Sequence, residues 1–261
     1  MMRHWITNEL CALTKENLDL LIDFKIPGII VKNFLPKAFC QEVDRRLCET
    51  SFGNYDHLKE IPVHHLGVCH NQWCRDEKSV YFGMIDEAQK QIDDIYQALN
   101  IDPVQEVISA LSNEGGYPAE VFEEEGFGKY FAGAFRSFKG HGRLHVDHAP
   151  THIEKPWAVT EISKQLTWNI YYSVHNGGGE LVIYDTIHTP ENEPMKVSND
   201  YYFPYEVLEN EVCVRVQPEI GDLILFNTQN FHEILGQPEA TRISQTSFIG
   251  LRNDGSLGLW S

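Results

Sequence analysis

The second half of the chain, from about Lys129 onward, is a succession of short β-rich runs. Glycine, asparagine, proline and aspartate separate each run from the next. The runs span residues 130–138, 143–148, 166–174, 180–184, 212–216, 222–226, 231–235 and 242–251. Eight strands at this spacing are typical of a β-sandwich or barrel, and eight is the number that a jelly roll needs.

The first half has a different pattern, in which apolar residues recur at helical spacing. We predict helices over residues 13–24, 36–48, 79–99 and 104–111, with Thr14 as N-cap of the first. A short strand at 28–31 and a loop at 51–76 lie between them. No repeat or linker divides the chain. We therefore expect one domain over 1–261, mainly β, with a helical support region at 1–128 and a jelly-roll core at 129–251.

Composition limits the partners that this fold could serve. The 261 residues include 21 Lys+Arg and 38 Asp+Glu, which gives a formal net charge of −17. Phosphate binding needs clustered basic residues, so we expect neither a nucleic-acid partner nor docking on an anionic membrane. The sequence has no apolar run of the roughly 18 to 20 residues that span a bilayer, and no signal-peptide pattern. We therefore expect a cytoplasmic protein.

The cysteine pattern points the same way. Six cysteines in 261 residues are too few for a disulfide scaffold, so the thiols are expected to be reduced. Cys69 and Cys74 lie near several histidines, but their C-x4-C spacing has no second pair. This arrangement argues against a structural zinc site.

The β half contains a set of residues that fits a metal ion. His145 and Asp147 are two apart on a predicted strand, so the imidazole and the carboxylate point to one face. His232 follows on another predicted strand, after the turn and apolar strand at 219–226. Two histidines and one carboxylate form the facial triad that binds non-haem Fe(II) and leaves positions open for a co-substrate and O₂.

A cation and a hydroxyl group follow the second histidine. Arg242 comes ten residues after His232, and Ser244 shares the face of Arg242 on the last predicted strand of the core. A guanidinium fixed beside a hydroxyl group suits an incoming carboxylate.

These residues resemble the signature of the Fe(II)/2-oxoglutarate-dependent oxygenases, and the resemblance covers about residues 130–251. The order of motifs carries it: His-Val-Asp at 145–147, Gly-Gly-Gly-Glu-Leu at 177–181, Gly-Asp-Leu at 221–223, His232, and Arg-x-Ser at 242–244. The resemblance implies a double-stranded β-helix, the cupin-like jelly roll. It also implies Fe(II), 2-oxoglutarate and O₂ as the cofactor and co-substrates.

The resemblance also implies roles for individual residues. His145, Asp147 and His232 would hold the iron and so form the catalytic centre. The C5 carboxylate of 2-oxoglutarate would pair with Arg242, helped by Ser244. In the prolyl-hydroxylase-like members a strand tyrosine bonds the same carboxylate.

By that likeness Tyr172 is the predicted tyrosine. Thr246 lies on the face of Arg242 and Ser244, and we expect it at the co-substrate too. Trp168 shares the face of Tyr172 and is a candidate for substrate contact.

Asp147 distinguishes between two branches of this superfamily. The related radical halogenases have Gly or Ala in place of this carboxylate, which opens a site for chloride. Because the carboxylate is present here, the resemblance implies hydroxylation of an unactivated C–H bond, with release of succinate and CO₂.

A smaller resemblance concerns the substrate. The strand at 180–184, the tyrosine-rich insert at 185–211 and the C-terminal residues look like bacterial oxygenases and halogenases of free amino acids and small metabolites. The insert is long enough to form a lid. We therefore expect a free amino acid as the substrate.

An amino acid needs a cation for its carboxylate and an anion for its amine. Arg75 and Arg143 are candidate cations, and Arg136 is a third. Glu120 and the run of glutamates at 123–125 are candidate anions, which would favour a basic, lysine-like amino acid.

Other functions stay open at this level. One is a prolyl-type protein or peptide hydroxylase, which would need an open groove. A desaturase, cyclase or epimerase could use the same cofactors, because these outcomes depend on how the substrate is posed. A jelly-roll metal sensor without turnover would not need the Arg242 site. The oligomeric state, whether monomer or homodimer, is also open.

Overall fold

The computed structural model describes residues 4–54, 63–70, 77–153, 156–176, 179–198, 200–210 and 212–261. The α-helices are α1 (Lys15–Ile22), α2 (Lys37–Cys48), α3 (Lys78–Gly83), α4 (Ile85–Tyr96), α5 (Pro103–Asn113) and α6 (Ala149–His152). The first strands are β1 (Ile29–Val31), β2 (Gly53–Asn54), β3 (Val63–Leu66), β4 (Ala119–Val121), β5 (Glu123–Glu124) and β6 (Gly128–Lys129). The later strands are β7 (Ala134–Lys139), β8 (Gly142–His145), β9 (Lys164–His175), β10 (Glu180–Ile187), β11 (Cys213–Val216), β12 (Leu223–Asn227), β13 (Asn230–Leu235), β14 (Thr241–Leu251) and β15 (Leu257–Trp260). Short 3-10 helices span Ala158–Thr160, Glu193–Met195 and Tyr205–Val207.

The eight strands predicted from the sequence are β7 to β14, and they divide equally between two sheets. The larger sheet has the order β1-β12-β9-β14-β7-β3-β2, with β15 and β4 attached beside β14. The smaller sheet has the order β11-β10-β13-β8. Two antiparallel sheets whose strands are interleaved along the chain in this way form a jelly roll. The predicted fold class is confirmed.

The helices cover one face of the larger sheet. Trp168, Ile170 and Tyr172 point from β9 toward them and are at most 1% exposed. The ring of Phe39 on α2 lies 6.4 Å from the ring of Tyr172. Since side chains alternate along a strand, the other residues of β9 face the smaller sheet. This alternation decides which residues can reach a site between the sheets.

Local signals explain where several elements begin and end. The Thr14 side chain accepts a hydrogen bond from the Asn17 amide and so caps α1 as predicted. The Asp102 side chain caps α5 in the same way. The strand predicted from residue 130 begins only at Ala134, because Gly133 has a φ of 86° that interrupts the extended backbone.

The helix predicted over 79–99 is in fact two helices. The Met84 amide bonds to Tyr81 O, three residues back, and this tighter turn separates α3 from α4. The second helix ends at Tyr96 because Ala98 and Asn100 have positive φ angles of 65° and 55°. The C-terminal strand β15 was not predicted. It pairs with β14 and lies parallel to β4, so the sheet extends beyond residue 251. In the described part of the chain, no helix is long and apolar enough to cross a membrane.

Candidate iron and 2-oxoglutarate site

A cavity of about 190 Å³ opens between the two sheets. Its walls include alternate residues of β9 and β14, together with the inward residues of β8 and β13. Among the residues that line it are His145, Asp147, His232, Arg242, Ser244 and Thr246. The structure therefore brings six of the predicted site residues into one cavity.

His145 and His232 are register partners on β8 and β13, with ring centroids 4.2 Å apart. Asp147 lies just beyond the end of β8, where its amide bonds to Thr228 O at 3.0 Å. One Asp147 carboxylate oxygen is 3.7 Å from Nε2 of each histidine. The three ligand atoms converge on one point, as a 2-His-1-carboxylate facial triad requires.

Backbone carbonyls orient the two imidazoles. Nδ1 of His145 lies 2.8 Å from Arg143 O, and Nδ1 of His232 lies 2.9 Å from Asn230 O. A carbonyl only accepts, so each Nδ1 carries the proton and donates it. In the neutral form of each ring, Nε2 then presents its lone pair toward the Asp147 carboxylate. Such outer hydrogen bonds are typical of histidines that ligate a metal ion.

The protonation states also suit a metal ion. Burial, followed by the nearby His232, lowers the pKa of His145 to about 4, so its ring is neutral at pH 7. Burial alone would raise the pKa of Asp147, but the two histidines bring it well below its usual range. A neutral imidazole and an ionised carboxylate are the forms that bind a divalent cation. The residues present fit Fe(II).

Arg242 is the strongest sign of an anionic ligand. Its side chain lies between the rings of Phe138 and Tyr171, each 5.6 Å from the guanidinium carbon, and only 6% of the residue is exposed. One Nη1–H donates to Gly179 O at 3.2 Å, while the buried Nε has no hydrogen-bond partner. No acidic side chain in the described ranges pairs with it. A buried cation in this state needs an anion, and a carboxylate of 2-oxoglutarate fits.

The structure corrects the predicted tyrosine. Tyr172 faces the helices, and its hydroxyl donates to the side chain of Gln245 at 2.8 Å, so it cannot reach the cavity. Tyr171 points the other way, lines the cavity and stacks near Arg242. Trp168 is wrong as a substrate residue for the same reason, since it is fully buried on the helix side. Alternation along β9 makes the odd-numbered residues face the site.

Among the described residues, the candidates Glu120, Glu124 and Arg143 lie away from the cavity. Glu120 lies on β4 and pairs with Arg252 at 2.6 Å. Glu124, in the glutamate run, is bound to Lys78 and to the hydroxyl of Tyr130. The Arg143 guanidinium packs 4.3 Å over the ring of Tyr202 instead of lining the cavity. Arg75 lies outside the described residues.

Sequence reasoning missed other residues of the cavity wall. They include Asn169 on β9, Tyr201 in the insert, and His148 and His152 beside Asp147. Asn169 could have been found, because it has the same parity as Tyr171 on its strand. Arg136, named from the sequence as a candidate cation, does line the cavity.

Comparison with known proteins decides the family. The family model described as carrier-protein-independent halogenase WelO5 matches residues 6–260. The chain belongs to this family. It is an Fe(II)- and 2-oxoglutarate-dependent oxygenase, and the class and cofactors predicted from the motifs are confirmed.

Curated relatives of this WelO5-family protein include three named proteins. The leucinostatins biosynthesis cluster protein S of Purpureocillium lilacinum is 30% identical over 66% of this chain and 73% of its own length. The L-gamma-glutamyl-L-propargylglycine hydroxylase of Streptantibioticus cattleyicolor is 25% identical, over 97% of this chain and 95% of its own. The L-isoleucine 3(1)-dioxygenase of Pantoea ananatis is 22% identical, over 89% and 82%.

Solved structures show the same fold. The N-substituted L-amino acid dioxygenase of Burkholderia ambifaria superposes with a TM-score of 0.60 at 14% identity, covering 95% of this chain and 91% of its own. Its complex with alpha-KG superposes with a TM-score of 0.58 over the same shares of the two chains.

Proposed function

We propose that the protein hydroxylates an unactivated C–H bond of a small molecule, a free amino acid or a close derivative, with release of succinate and CO₂. The position of Asp147 carries this proposal. Its carboxylate lies 3.7 Å from Nε2 of both histidines and so occupies a ligand position. The family model is described as a halogenase, but in this chain the Asp147 carboxylate occupies the position that a halide would need. We therefore propose transfer of oxygen instead of a halogen.

The lining of the cavity supports a role for each of these residues. We propose that His145, Asp147 and His232 hold Fe(II), and that Arg242 binds a carboxylate of 2-oxoglutarate with Ser244, Thr246 and Tyr171 beside it. Bound Fe(II) supplies O₂ activation coupled to decarboxylation of 2-oxoglutarate. The chain's own residues orient the co-substrate, place one C–H bond of the substrate near the metal and keep bulk water out. We propose that residues 1–261 act as a single domain in this role.

An amino-acid substrate is supported by the relatives, two of which are named for amino-acid or dipeptide substrates. The cavity itself supports a small molecule, because its volume is only about 190 Å³ and Tyr201 of the insert forms part of its wall. The described parts of the insert, 185–198 and 200–210, therefore resemble a lid more than an open peptide groove. Strand β10 continues to Ile187, so the loop of this lid begins at His188.

The basic, lysine-like preference loses its support. Two of the glutamates that suggested it, Glu120 and Glu124, are bound to Arg252 and Lys78, outside the cavity. Apolar side chains, including Leu181, Phe226 and Phe248, make up much of the wall instead. Basic and aliphatic amino acids therefore belong in the same panel of test substrates.

Succinate release tests the proposal. The enzyme is incubated with Fe(II), ascorbate, O₂ and 2-oxoglutarate, against basic, aliphatic and γ-glutamyl amino acids. We expect one group to stimulate succinate release strongly and to gain 16 mass units. Stimulation only by peptides would instead support the prolyl-type hydroxylase. A product that has lost two hydrogens would support desaturation, and a chlorinated product in the presence of chloride would refute the role given to Asp147.

A further inference from the structure

A second cluster of potential metal ligands lies beside the cavity. It consists of His152 at the end of α6, His188 just after β10, and Glu193 at the start of a 3-10 helix. One ligand atom of each residue lies within 4.8 Å of the other two. A Glu193 carboxylate oxygen is 2.6 Å from His188 Nε2 and 3.6 Å from His152 Nε2. Three side chains from separate segments thus converge on one point.

The cluster is largely buried and not fully bonded. The side chains of His152 and His188 are 7% and 3% exposed, and that of Glu193 is 33% exposed. Nε2 of His152 is buried and has no hydrogen-bond partner. A buried polar atom left in this state costs free energy unless a ligand satisfies it. Here that atom points at a carboxylate and a second imidazole.

The backbone and the packing hold the histidines in place. The His188 amide bonds to Gln229 O at 2.8 Å, and its ring packs against Phe203 and Phe231, at 5.9 and 6.2 Å. The backbone at His152 is held by its amide, which bonds to His148 O at 3.0 Å, and its side chain is only 7% exposed. Rigid ligands lower the ordering cost of binding an ion.

We propose that His152, His188 and Glu193 bind a second divalent transition-metal ion, zinc, separate from the facial triad. Two imidazoles and one carboxylate are donors that Zn²⁺ accepts. In tetrahedral coordination at about 2.1 Å, donor atoms lie about 3.4 Å apart, so the distance between His188 Nε2 and the Glu193 carboxylate oxygen would have to widen by less than about 1 Å. The partly exposed Glu193 gives the ion a route from solvent.

Such an ion would fasten the insert to the cavity. His188 and Glu193 belong to the insert, whereas His152 follows Asp147 by five residues and lines the cavity. Bound zinc would therefore join the lid to the segment that carries an iron ligand. The site differs from the triad in every residue, and so it can be filled while iron is in place.

The test uses the enzyme loaded anaerobically with Fe(II) and 2-oxoglutarate. Zn²⁺ is titrated against a chromophoric chelator, and both metals are counted by mass spectrometry. We expect one iron and one zinc per chain. The variants His188→Ala and Glu193→Gln should weaken zinc binding at least tenfold, with iron content unchanged. His175→Ala, which removes an exposed histidine, should bind zinc as the wild type does.

Zinc that displaces iron one for one would overturn the proposal. So would zinc that His188→Ala binds undiminished, or no zinc binding in competition with the chelator. X-ray absorption at the zinc edge of the wild-type enzyme does not depend on any variant folding. It should show only nitrogen and oxygen donors, with two imidazoles. A sulfur donor, or one imidazole or none, would contradict the assigned ligands. Under those results the cluster is a hydrogen-bonded bridge and no more.

Discussion

Tyr171 and Ser244 face each other across the ladder between β9 and β14, and both side chains line the cavity beside Arg242. The neighbouring Tyr172 points to the opposite face and bonds to Gln245. Two adjacent tyrosines therefore give a matched pair of positions, one in the site and one behind it. The same substitution at each position separates co-substrate binding from packing.

We expect substitutions at these two tyrosines to change different quantities. Tyr171→Phe should raise the KM for 2-oxoglutarate about threefold to tenfold, since one hydrogen bond contributes about 0.5–1.5 kcal/mol. Tyr172→Phe should leave that KM unchanged but lower the free energy of unfolding by about 1 kcal/mol, because Gln245 loses a buried partner. Succinate-release kinetics and urea denaturation measure the two quantities. A KM raised only in the Tyr172 variant would instead support Tyr172, the residue predicted from the sequence to bind the co-substrate.

Arg242 should be needed for co-substrate binding in a way that lysine cannot replace. The buried guanidinium offers a planar fork of donors, which an ammonium lacks. We expect Arg242→Lys to raise the KM for 2-oxoglutarate roughly 30- to 150-fold, which corresponds to a loss of about 2–3 kcal/mol of binding free energy. Arg215→Lys, at an exposed arginine that pairs with Glu180, should have no effect. Equal KM values for the two variants would show that Arg242 does not bind 2-oxoglutarate.

Asp147→Gly should abolish most hydroxylation. Loss of an outer partner of a metal ligand already costs about 10- to 100-fold in affinity or activity, and loss of a ligand itself should cost more. We therefore expect at least about a 100-fold drop in hydroxylated product, measured by mass spectrometry at saturating Fe(II). The same assay with added chloride shows whether a halogenated product appears. Full hydroxylation by the variant would show that Asp147 is not a needed ligand.

The metal site was easier to predict than the substrate site, for a physical reason. His145, His232 and Arg242 come from strands whose period of two fixes the direction of each side chain, and Asp147 follows β8 by two residues. The same rule would have placed Tyr171 correctly if the register with Ser244 had been known. Pairing between β9 and β14 is a long-range property, and its bulge between Ile243 and Ser244 leaves no local mark in the sequence.

The candidate substrate residues Glu120 and Arg143 lie away from the cavity for another reason. A charged residue can bind substrate only if no other partner takes it, and partners such as Arg252 for Glu120 come from distant segments. Residues 130 and 131 were assigned to a strand because β propensity ignores the positive φ of Gly133. The N-cap of α1 at Thr14 was predicted correctly because its signal is local.

The last prediction concerns stability against acid. His70 is 2% exposed, packs 4.2 Å from the ring of Trp157, and burial lowers its pKa to about 4. The unfolded chain has an ordinary histidine pKa of about 6.5 and so binds a proton first as the pH falls. Between pH 6.5 and 4 the unfolded state holds more protons than the folded state. The free energy of unfolding must therefore decrease as the pH falls through that window.

His70→Phe keeps an aromatic ring but removes the titrating group. Between pH 6.5 and 4 we expect its free energy of unfolding to fall less steeply than that of the wild type. The two slopes should differ by up to about 1.4 kcal/mol per pH unit, the contribution of one proton. Above pH 7 the two curves should run parallel, because His70 is neutral in both states. Urea titrations of the two proteins at half-unit pH steps give the slopes. Parallel curves through the acid window would mean that His70 is protonated equally in the folded and unfolded chains, contrary to its burial among Tyr81, Tyr130 and Trp157.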